Sequence, residues 1–146
     1  MFYKIKFKVK IMGTRADFYV GKGKEAEWIG SVAWDGYEWG ERIEKGDHDK
    51  ITSSKNDKDF REAVVEKLKE RNDGTTPEVG WPWTWEDSRT TDCAYCFVDG
   101  KVEAFSWGVP WGQDNAEQEE WPDMRDVQKV DFGEISGLIL IKANQI

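Results

Sequence analysis

Two short motifs place an arginine among hydroxyls and carboxylates, directly before sequence that favours a strand. They are Gly13-Thr14-Arg15-Ala16-Asp17 and Asp87-Ser88-Arg89-Thr90-Thr91-Asp92. A guanidinium binds anionic groups and stacks on aromatic rings, so with neighbouring tryptophans the motifs could hold a planar anionic ligand such as a nucleotide. That pocket would use four side chains: Arg15, Asp17, Arg89 and Asp92. The alternative is that arginine–aspartate pairs and Asx turns fix the strand entrances. We favour this structural interpretation over the ligand pocket, because each motif carries its own charge partner.

Cys93 and Cys96 have the spacing of a metal-binding or redox pair. A structural zinc site needs four ligands, and besides these two cysteines the chain offers one histidine, His48. Both cysteines also fall inside a predicted strand, where residues three apart point to opposite faces. We therefore predict reduced, partly buried cysteines, with no metal site and no cofactor.

Phosphate-binding and hydrolytic chemistry have less support from the sequence. Gly21-Lys22-Gly23-Lys24 resembles part of a phosphate-binding loop, but no helix is predicted after it, so a hairpin turn is the favoured interpretation. Four aspartates near predicted strand ends could form an acid–base pair in a hydrolase: Asp17, Asp35, Asp87 and Asp92. No spacing singles out two of them, and turn chemistry explains aspartate at such places. We therefore assign no catalytic residue.

The chain also holds nine tryptophans, an unusual number for 146 residues. Trp81, Trp83 and Trp85 alternate, so an extended backbone would place their indoles on one side. The indoles either cover the sheet opposite the helix, which we favour for the set, or face a partner. Aromatic area in loops beyond what a small core needs supports the second interpretation. The candidate anchors for a partner are Trp81, Trp83, Trp85, Trp107, Trp111 and Trp121.

Charge is unevenly distributed along the chain. The net charge is −8, yet residues 1–24 carry seven lysines and arginines against one aspartate. From Asp114 to Asp126, six carboxylates accompany a single arginine. An acidic stretch of this kind would steer the protein toward a basic protein surface rather than toward nucleic acid or a membrane. The carboxylates assigned to this partner contact are Glu117, Glu119, Glu120 and Asp123.

Hydrophobic patterning predicts the strands that must position these residues. Residues 3–11 alternate strictly between apolar side chains and lysine, which predicts a half-buried strand. Shorter strands are predicted over 17–20 and 27–34, and the apolar residues 135–142 predict a closing strand. Asp99-Gly100 predicts a tight hairpin between strands at 91–98 and 101–107. Trp28 and Trp34 are six residues apart in the strand at 27–34, so both are expected on one buried face.

One helix is predicted over residues 57–72, because Phe60, Val64 and Leu68 recur at four-residue spacing. Gly74 is expected to end this helix in the left-handed conformation. Residues 35–56 are rich in Gly, Asp, Ser and Lys, and we expect a long loop there.

These elements predict a single α+β domain over residues 1–146. Its sheet is mainly antiparallel with five or six strands, one helix packs on one face, and tryptophan-rich loops lie on the other face or at one end. No segment is long and apolar enough to span a bilayer, and the N-terminal residues lack the features of a signal peptide. We therefore expect a cytoplasmic protein.

Part of the chain carries a resemblance. The strings MGTRADFYVG (12–21) and EWIGSVAWDGY (27–37), together with residues 80–91, resemble short proteins of bacteria and of their phages or mobile elements, for which no activity is assigned. The resemblance implies a prokaryotic or phage context.

The function expected from these features is non-enzymatic binding. In this hypothesis a phage- or mobile-element-encoded inhibitor docks on a host protein through its acidic and tryptophan-rich loops. Two alternatives stay open: a binding protein for a small nucleotide-like ligand, and a hydrolase that uses two carboxylates.

Overall fold

The computed structural model describes residues 13–125, which form one six-stranded mixed sheet with two helices. The strands lie in the order β3-β2-β1-β4-β5-β6, with β1 parallel to β4 and every other neighbouring pair antiparallel. The elements in chain order are β1 (Ala16–Val20), β2 (Glu27–Val32), α1 (Glu38–Lys45), α2 (Asp57–Glu70), β3 (Gly74–Thr75), β4 (Cys93–Val98), β5 (Lys101–Ser106) and β6 (Val109–Pro110). The predicted α+β class is confirmed. The strands predicted over 3–11 and 135–142 lie outside the described residues.

The expectation of a single helix is wrong, because α1 occupies part of the predicted loop over 35–56. Acidic residues in its first turn and basic residues in its last turn complement the helix dipole. Gly46 ends it in the left-handed conformation, with φ +73°. Trp39 is fully buried and its ring meets that of Phe18 edge-on at 5.1 Å. Trp39 thus packs α1 on the sheet, and the backbone N–H of Gly40 adds a hydrogen bond to the Tyr95 hydroxyl at 2.9 Å.

Helix α2 follows its prediction closely at the start and less closely at the end. The Asn56 side chain accepts a hydrogen bond from the backbone N–H of Asp59 at 2.8 Å, which caps the first turn. The helix ends at Glu70, and Arg71 is already extended. Gly74 lies in β3 and does not serve as the left-handed stop. A Cβ there would lie 2.9 Å from the carbonyl oxygen of Leu68, so close packing, and not a positive φ, favours glycine.

Two hairpins share the same turn geometry. Asp99 and Gly100 link β4 to β5 with φ values of +52° and +81°, as the sequence predicts for a two-residue type I′ turn. Trp107 and Gly108 link β5 to β6 with φ values of +54° and +79°. The second turn therefore places a tryptophan where asparagine, aspartate or glycine is usual.

The two faces of the sheet carry separate cores. We call the first the helix-side core; its buried members include Phe18, Val32, Trp39, Ile51, Phe60, Val64, Leu68, Cys93 and Tyr95. We call the second the tryptophan-side core; its buried members are Tyr19, Ala26, Trp28, Trp81, Ala94, Cys96, Phe105, Trp121 and Met124. Trp28 is buried as predicted, but the expectation for Trp34 is wrong. Strand β2 ends at Val32, and Trp34 follows it with 57% of its surface exposed.

Candidate functional site

The carboxylate of Asp17 is the polar centre of the tryptophan-side core. It is fully buried and accepts hydrogen bonds from the Ser31 hydroxyl at 2.6 Å, the Ser88 hydroxyl at 2.6 Å and Trp83 Nε1 at 2.7 Å. Burial raises the pKa of Asp17 above its ordinary value, and the hydrogen bonds oppose that rise. Because Ser88 and Trp83 lie in the segment before β4, this carboxylate ties that segment to the sheet.

The indoles of the 81–85 run all donate inward. Trp81 Nε1 donates to the carbonyl oxygen of Trp85 at 2.6 Å, and Trp85 Nε1 donates to the Thr91 hydroxyl at 2.8 Å. Trp81 is buried, while Trp83 and Trp85 are half-buried and stack on each other with centroids 5.4 Å apart. The run therefore covers the sheet, and its N–H groups are satisfied inside the protein.

The Arg15 guanidinium lies over the stacked rings of Trp83 and Trp85, and its ion pair connects the two arginine motifs. Its guanidinium carbon is 5.8 Å from the ring centroid of Trp83 and 5.5 Å from that of Trp85. Its Nη1 is 3.6 Å from a carboxylate oxygen of Asp92, which also accepts the backbone N–H of Arg15 at 2.9 Å. The charge partner of Arg15 therefore comes from the second motif, and the stacked indoles already carry a cation.

Arg89 is directed elsewhere. Its guanidinium binds both carboxylate oxygens of Asp87, with the shortest contact at 2.7 Å, and reaches Glu86 at 3.2 Å. This arginine therefore pairs within its own motif, as predicted from the aspartates that flank it in sequence. Arg89 also lines a cleft whose lining residues do not include Arg15.

The acidic residues assigned to a partner line one cleft of about 470 Å³. We call it the acidic cleft; it is lined by Lys24, Glu86, Asp87, Arg89, Glu117, Gln118, Glu119, Glu120, Trp121 and Asp123. Six of these side chains are carboxylates and two are cations. Lys24 Nζ lies 3.6 Å from Glu120, in a pair whose two side chains are both mostly exposed. Glu117 has no ion-pair partner among the residues that the structure describes.

The downstream tryptophans occupy three different environments. Trp111 packs against α1, where its ring meets Tyr37 at 5.7 Å and a Cβ on Gly40 would lie 2.5 Å from it. Trp121 is only 6% exposed and packs on the rings of Tyr19 and Phe105. Trp107 is half exposed, with 50% of its surface accessible. Trp107 is the one proposed anchor that presents a large free indole surface in the described structure.

Hydrogen bonds join the Trp107 turn to the acidic cleft. Gln118 Nε2 donates to the carbonyl oxygen of Trp107 at 2.9 Å and to that of Arg89 at 3.2 Å. The backbone N–H of Glu119 donates to the carbonyl oxygen of Gly108 at 2.7 Å. Sequence alone gives no reason to place Gln118 or Lys24 in this cleft, since only the folded backbone brings Lys24 beside the acidic residues and directs the Gln118 amide to the turn.

One donor at this cleft is unsatisfied. Trp121 Nε1 is buried and has no hydrogen-bond acceptor in the described part of the chain. Leaving a buried donor unpaired costs about 1–3 kcal/mol. The other buried indoles behave differently: for example, Trp28 donates to Ser31 at 3.0 Å and Trp39 donates to Asp49 at 3.0 Å.

The remaining chemical candidates are separated in the fold. Cys93 lies in the helix-side core and Cys96 in the tryptophan-side core, both as free buried thiols whose pKa burial raises. Asp35 is exposed, and its carboxylate lies 3.9 Å from the guanidinium of Arg71. Within residues 13–125, no three His, Cys, Asp or Glu side chains are grouped to hold a metal ion. Over the same range, no helix has the length and apolar character needed to cross a membrane.

Comparison with known proteins gives no relative: no protein-family model matches the chain, and neither a curated protein nor a solved structure matches it.

Proposed function

We propose that the protein is a non-enzymatic docking protein that binds a partner with a basic surface. Its contact surface combines the Trp107 turn with the acidic cleft. The observation that carries the proposal is the conformation of Trp107, which is half exposed at φ +54°.

A tryptophan is an unfavourable choice for this turn if the turn serves only the fold. A bulky residue in the left-handed region is an outlier and costs about 1–3 kcal/mol. The Asp99-Gly100 turn makes the same connection with a residue that tolerates the conformation. Half of the Trp107 surface also stays in water. Large indoles at exposed, rigid positions are typical of the residues that dominate protein–protein binding energy.

The acidic cleft supplies the second half of the surface. Carboxylates in a concave site raise the local concentration of a cationic partner and speed its association. Gln118 and Glu119 hydrogen-bond to backbone carbonyl groups of the Trp107 turn, so the turn adjoins the acidic cleft.

The resemblance to bacterial and phage proteins suggests the setting. We propose that the partner is a host protein whose basic surface is covered by this chain, which would act as an inhibitor. The nucleotide alternative has less support, because Arg15 already pairs with Asp92 and stacks on Trp83 and Trp85.

A capture experiment tests the anchor. Tagged wild-type protein, Trp107→Ala and Trp34→Ala would be expressed in a bacterium, and bound proteins would be quantified by mass spectrometry. Trp34 is the matched control, because it is as exposed as Trp107 but follows β2, which β1 and β4 separate from the strand before Trp107. We expect a protein with a basic surface to be enriched by wild type and Trp34→Ala and lost from Trp107→Ala. Equal enrichment by all three would contradict the proposal.

Association kinetics with the captured partner test whether the carboxylates of the acidic cleft speed binding. Reversing Glu117, Glu119 and Glu120 to lysine should slow association by about tenfold or more at low salt, with the difference shrinking as salt rises. An unchanged association rate at every salt concentration would remove the steering role of the cleft.

A further inference from the structure

We infer that Gln118 is a positioning residue for the Trp107 anchor. Its side-chain amide, together with the backbone N–H of Glu119, holds the Trp107-Gly108 turn in the left-handed conformation and thereby fixes the direction in which the indole leaves the protein. Where it concerns binding, this role rests on the proposed function.

The conformation of Trp107 needs support from outside its own hairpin. Its φ of +54° lies in the left-handed region, which a bulky side chain rarely occupies. Such a conformation persists only where surrounding contacts determine it. The pairing of Ser106 with Val109 closes the hairpin, and the carbonyl groups of the two turn residues lie beyond this last pair. The contacts that hold the turn therefore come from other segments.

Both carbonyl groups of the turn accept hydrogen bonds from residues 118 and 119. Gln118 Nε2 donates to the carbonyl oxygen of Trp107 at 2.9 Å, and the backbone N–H of Glu119 donates to that of Gly108 at 2.7 Å. A side-chain amide has two N–H groups, and Gln118 Nε2 also donates to the carbonyl oxygen of Arg89 at 3.2 Å. Because peptide groups are planar, the bonds to the turn fix the orientation of the two peptide groups that follow Trp107.

The turn is also packed closely against the segment before β4. A Cβ on Gly108 would lie 3.1 Å from the Cα of Arg89 and 3.4 Å from the Cβ of Gln118. At the Asp99-Gly100 turn, the nearest atom outside the turn would be the Lys55 carbonyl oxygen, 3.8 Å from such a Cβ. The strained turn is therefore enclosed by Arg89 and Gln118, whereas the turn whose first residue tolerates this conformation has a more open setting.

The residue type at position 118 fits this role. Gln118 is the one amide in the acidic run from Glu117 to Glu120. Both of its partners are carbonyl oxygens, so the position requires donors, and an ionised glutamate has none. A turn without this support would hold Trp107 in the binding conformation for only part of the time, and the apparent affinity would fall in proportion to that fraction.

The first test follows Trp107 in the free protein by ¹⁹F NMR after labelling with 5-fluorotryptophan. The Trp107 resonance is identified by its loss in Trp107→Phe. Gln118→Met keeps a long side chain but removes both N–H donors, and it should move this resonance toward its frequency in the urea-unfolded protein. Gln113→Met is the matched control, because Gln113 is exposed in the same loop and bonds Pro110 through its backbone N–H. An unmoved Trp107 resonance in Gln118→Met would overturn the inference.

The second test is a double-mutant cycle on affinity for the captured partner. Gln118→Met should weaken binding about threefold to tenfold, the scale of one hydrogen bond. In the Trp107→Asn background the same replacement should have no further effect, because asparagine tolerates the left-handed region and no indole is left to position. An equal loss in both backgrounds would mean that Gln118 contacts the partner directly, which would overturn the positioning role.

The two tests separate this inference from the proposed function. If the Trp107 resonance responds to Gln118→Met while partner capture is independent of Trp107, the proposed function fails and the positioning role of Gln118 stands. If capture depends on Trp107 while the resonance does not respond to Gln118→Met, the inference fails and the proposed function stands.

Discussion

The two faces of the sheet are covered by different elements and held by different interactions. On the helix side, α1 and α2 bury aliphatic and aromatic groups; Phe60, for example, stacks on Phe97 with centroids 5.4 Å apart. On the tryptophan side, loops replace helices. There the segment before β4 is tied to a buried carboxylate, Asp17, by Trp83 and Ser88.

This difference explains where a binding surface can form. Apolar burial is non-directional and covers the helix side with regular elements. Directional hydrogen bonds fix irregular loops in one conformation, and rigid loops on a scaffold are well suited to recognition. Trp121 belongs to the tryptophan-side core and lines the acidic cleft, and Gln118 joins the Trp107 turn to that cleft, so the proposed contact surface lies in loops rather than on the helices.

The largest expected effect is on the helix side. Phe60→Ala should lower the free energy of unfolding by about 3–5 kcal/mol, because it deletes a fully buried ring and leaves a cavity. Val65→Ala, on an exposed position of the same helix, should change it by less than about 0.5 kcal/mol. Urea denaturation measures both. A small loss for Phe60→Ala would contradict the view that burial on this face dominates stability.

On the tryptophan side the expected loss of unfolding free energy is smaller and comes from lost hydrogen bonds. Asp17→Ala should lower the free energy of unfolding by about 2 kcal/mol, because it strands the donors of Ser31, Ser88 and Trp83 while relieving the desolvation of the carboxylate. Asp114→Ala, an exposed control, should be neutral. Near-UV circular dichroism should also change in Asp17→Ala, since Trp83 loses its acceptor. An unchanged spectrum and stability would mean that Asp17 does not hold the loops.

Two aspartates should give opposite pH dependences of stability. Burial raises the pKa of Asp17 in the folded protein, so its stabilising contribution is full below its ordinary pKa of 3.8 and is lost as pH rises through the raised value. Burial would also raise the pKa of Asp73, but hydrogen bonds from Arg71 and the Trp34 backbone outweigh it and lower that pKa. The contribution of Asp73 is full above pH 3.8 and is lost as pH falls through the lowered value.

Denaturation of wild type, Asp17→Asn and Asp73→Asn between pH 3 and 8 measures these contributions. The stability of wild type relative to Asp17→Asn should fall with rising pH, whereas its stability relative to Asp73→Asn should fall with decreasing pH. Parallel profiles for the two variants would contradict the assigned environments.

Much of the fold follows from local sequence signals. The Asp99-Gly100 turn and the apolar spacing in α2 specify their structures through nearby residues. Helix α1 escapes this kind of prediction because it is short and its position depends on the burial of Trp39 by distant residues. Trp34 is wrongly predicted because β2 ends two residues before it, and strand ends depend on tertiary pairing.

The candidate site is less predictable than the fold. The sequence identifies the acidic residues and the tryptophans, but it does not separate Trp107 from Trp81 or Trp121. That separation depends on backbone torsions and on which loop packs over which strand. The alternation in β1 does place Asp17 on the same face as Tyr19, yet its partners Ser31 and Ser88 come from segments distant in sequence.

The smallest expected effect on stability concerns the Trp107 turn. Trp107→Asn gives the residue pair preferred in type I′ turns and should raise the free energy of unfolding by about 1 kcal/mol. Asp99→Asn, in the turn with the same geometry, should change it by less than about 0.5 kcal/mol. Urea denaturation again provides the measurement, and a destabilised Trp107→Asn would show that the indole serves the fold.

The affinity of Trp107→Asn for the captured partner shows whether the Trp107 indole is a binding anchor. If the indole is an anchor, the variant should bind at least about 30-fold more weakly than wild type, corresponding to a loss of 2 kcal/mol, although it is at least as stable. Trp34→Ala should retain wild-type affinity in the same assay. Wild-type affinity for Trp107→Asn would show that the indole is not an anchor.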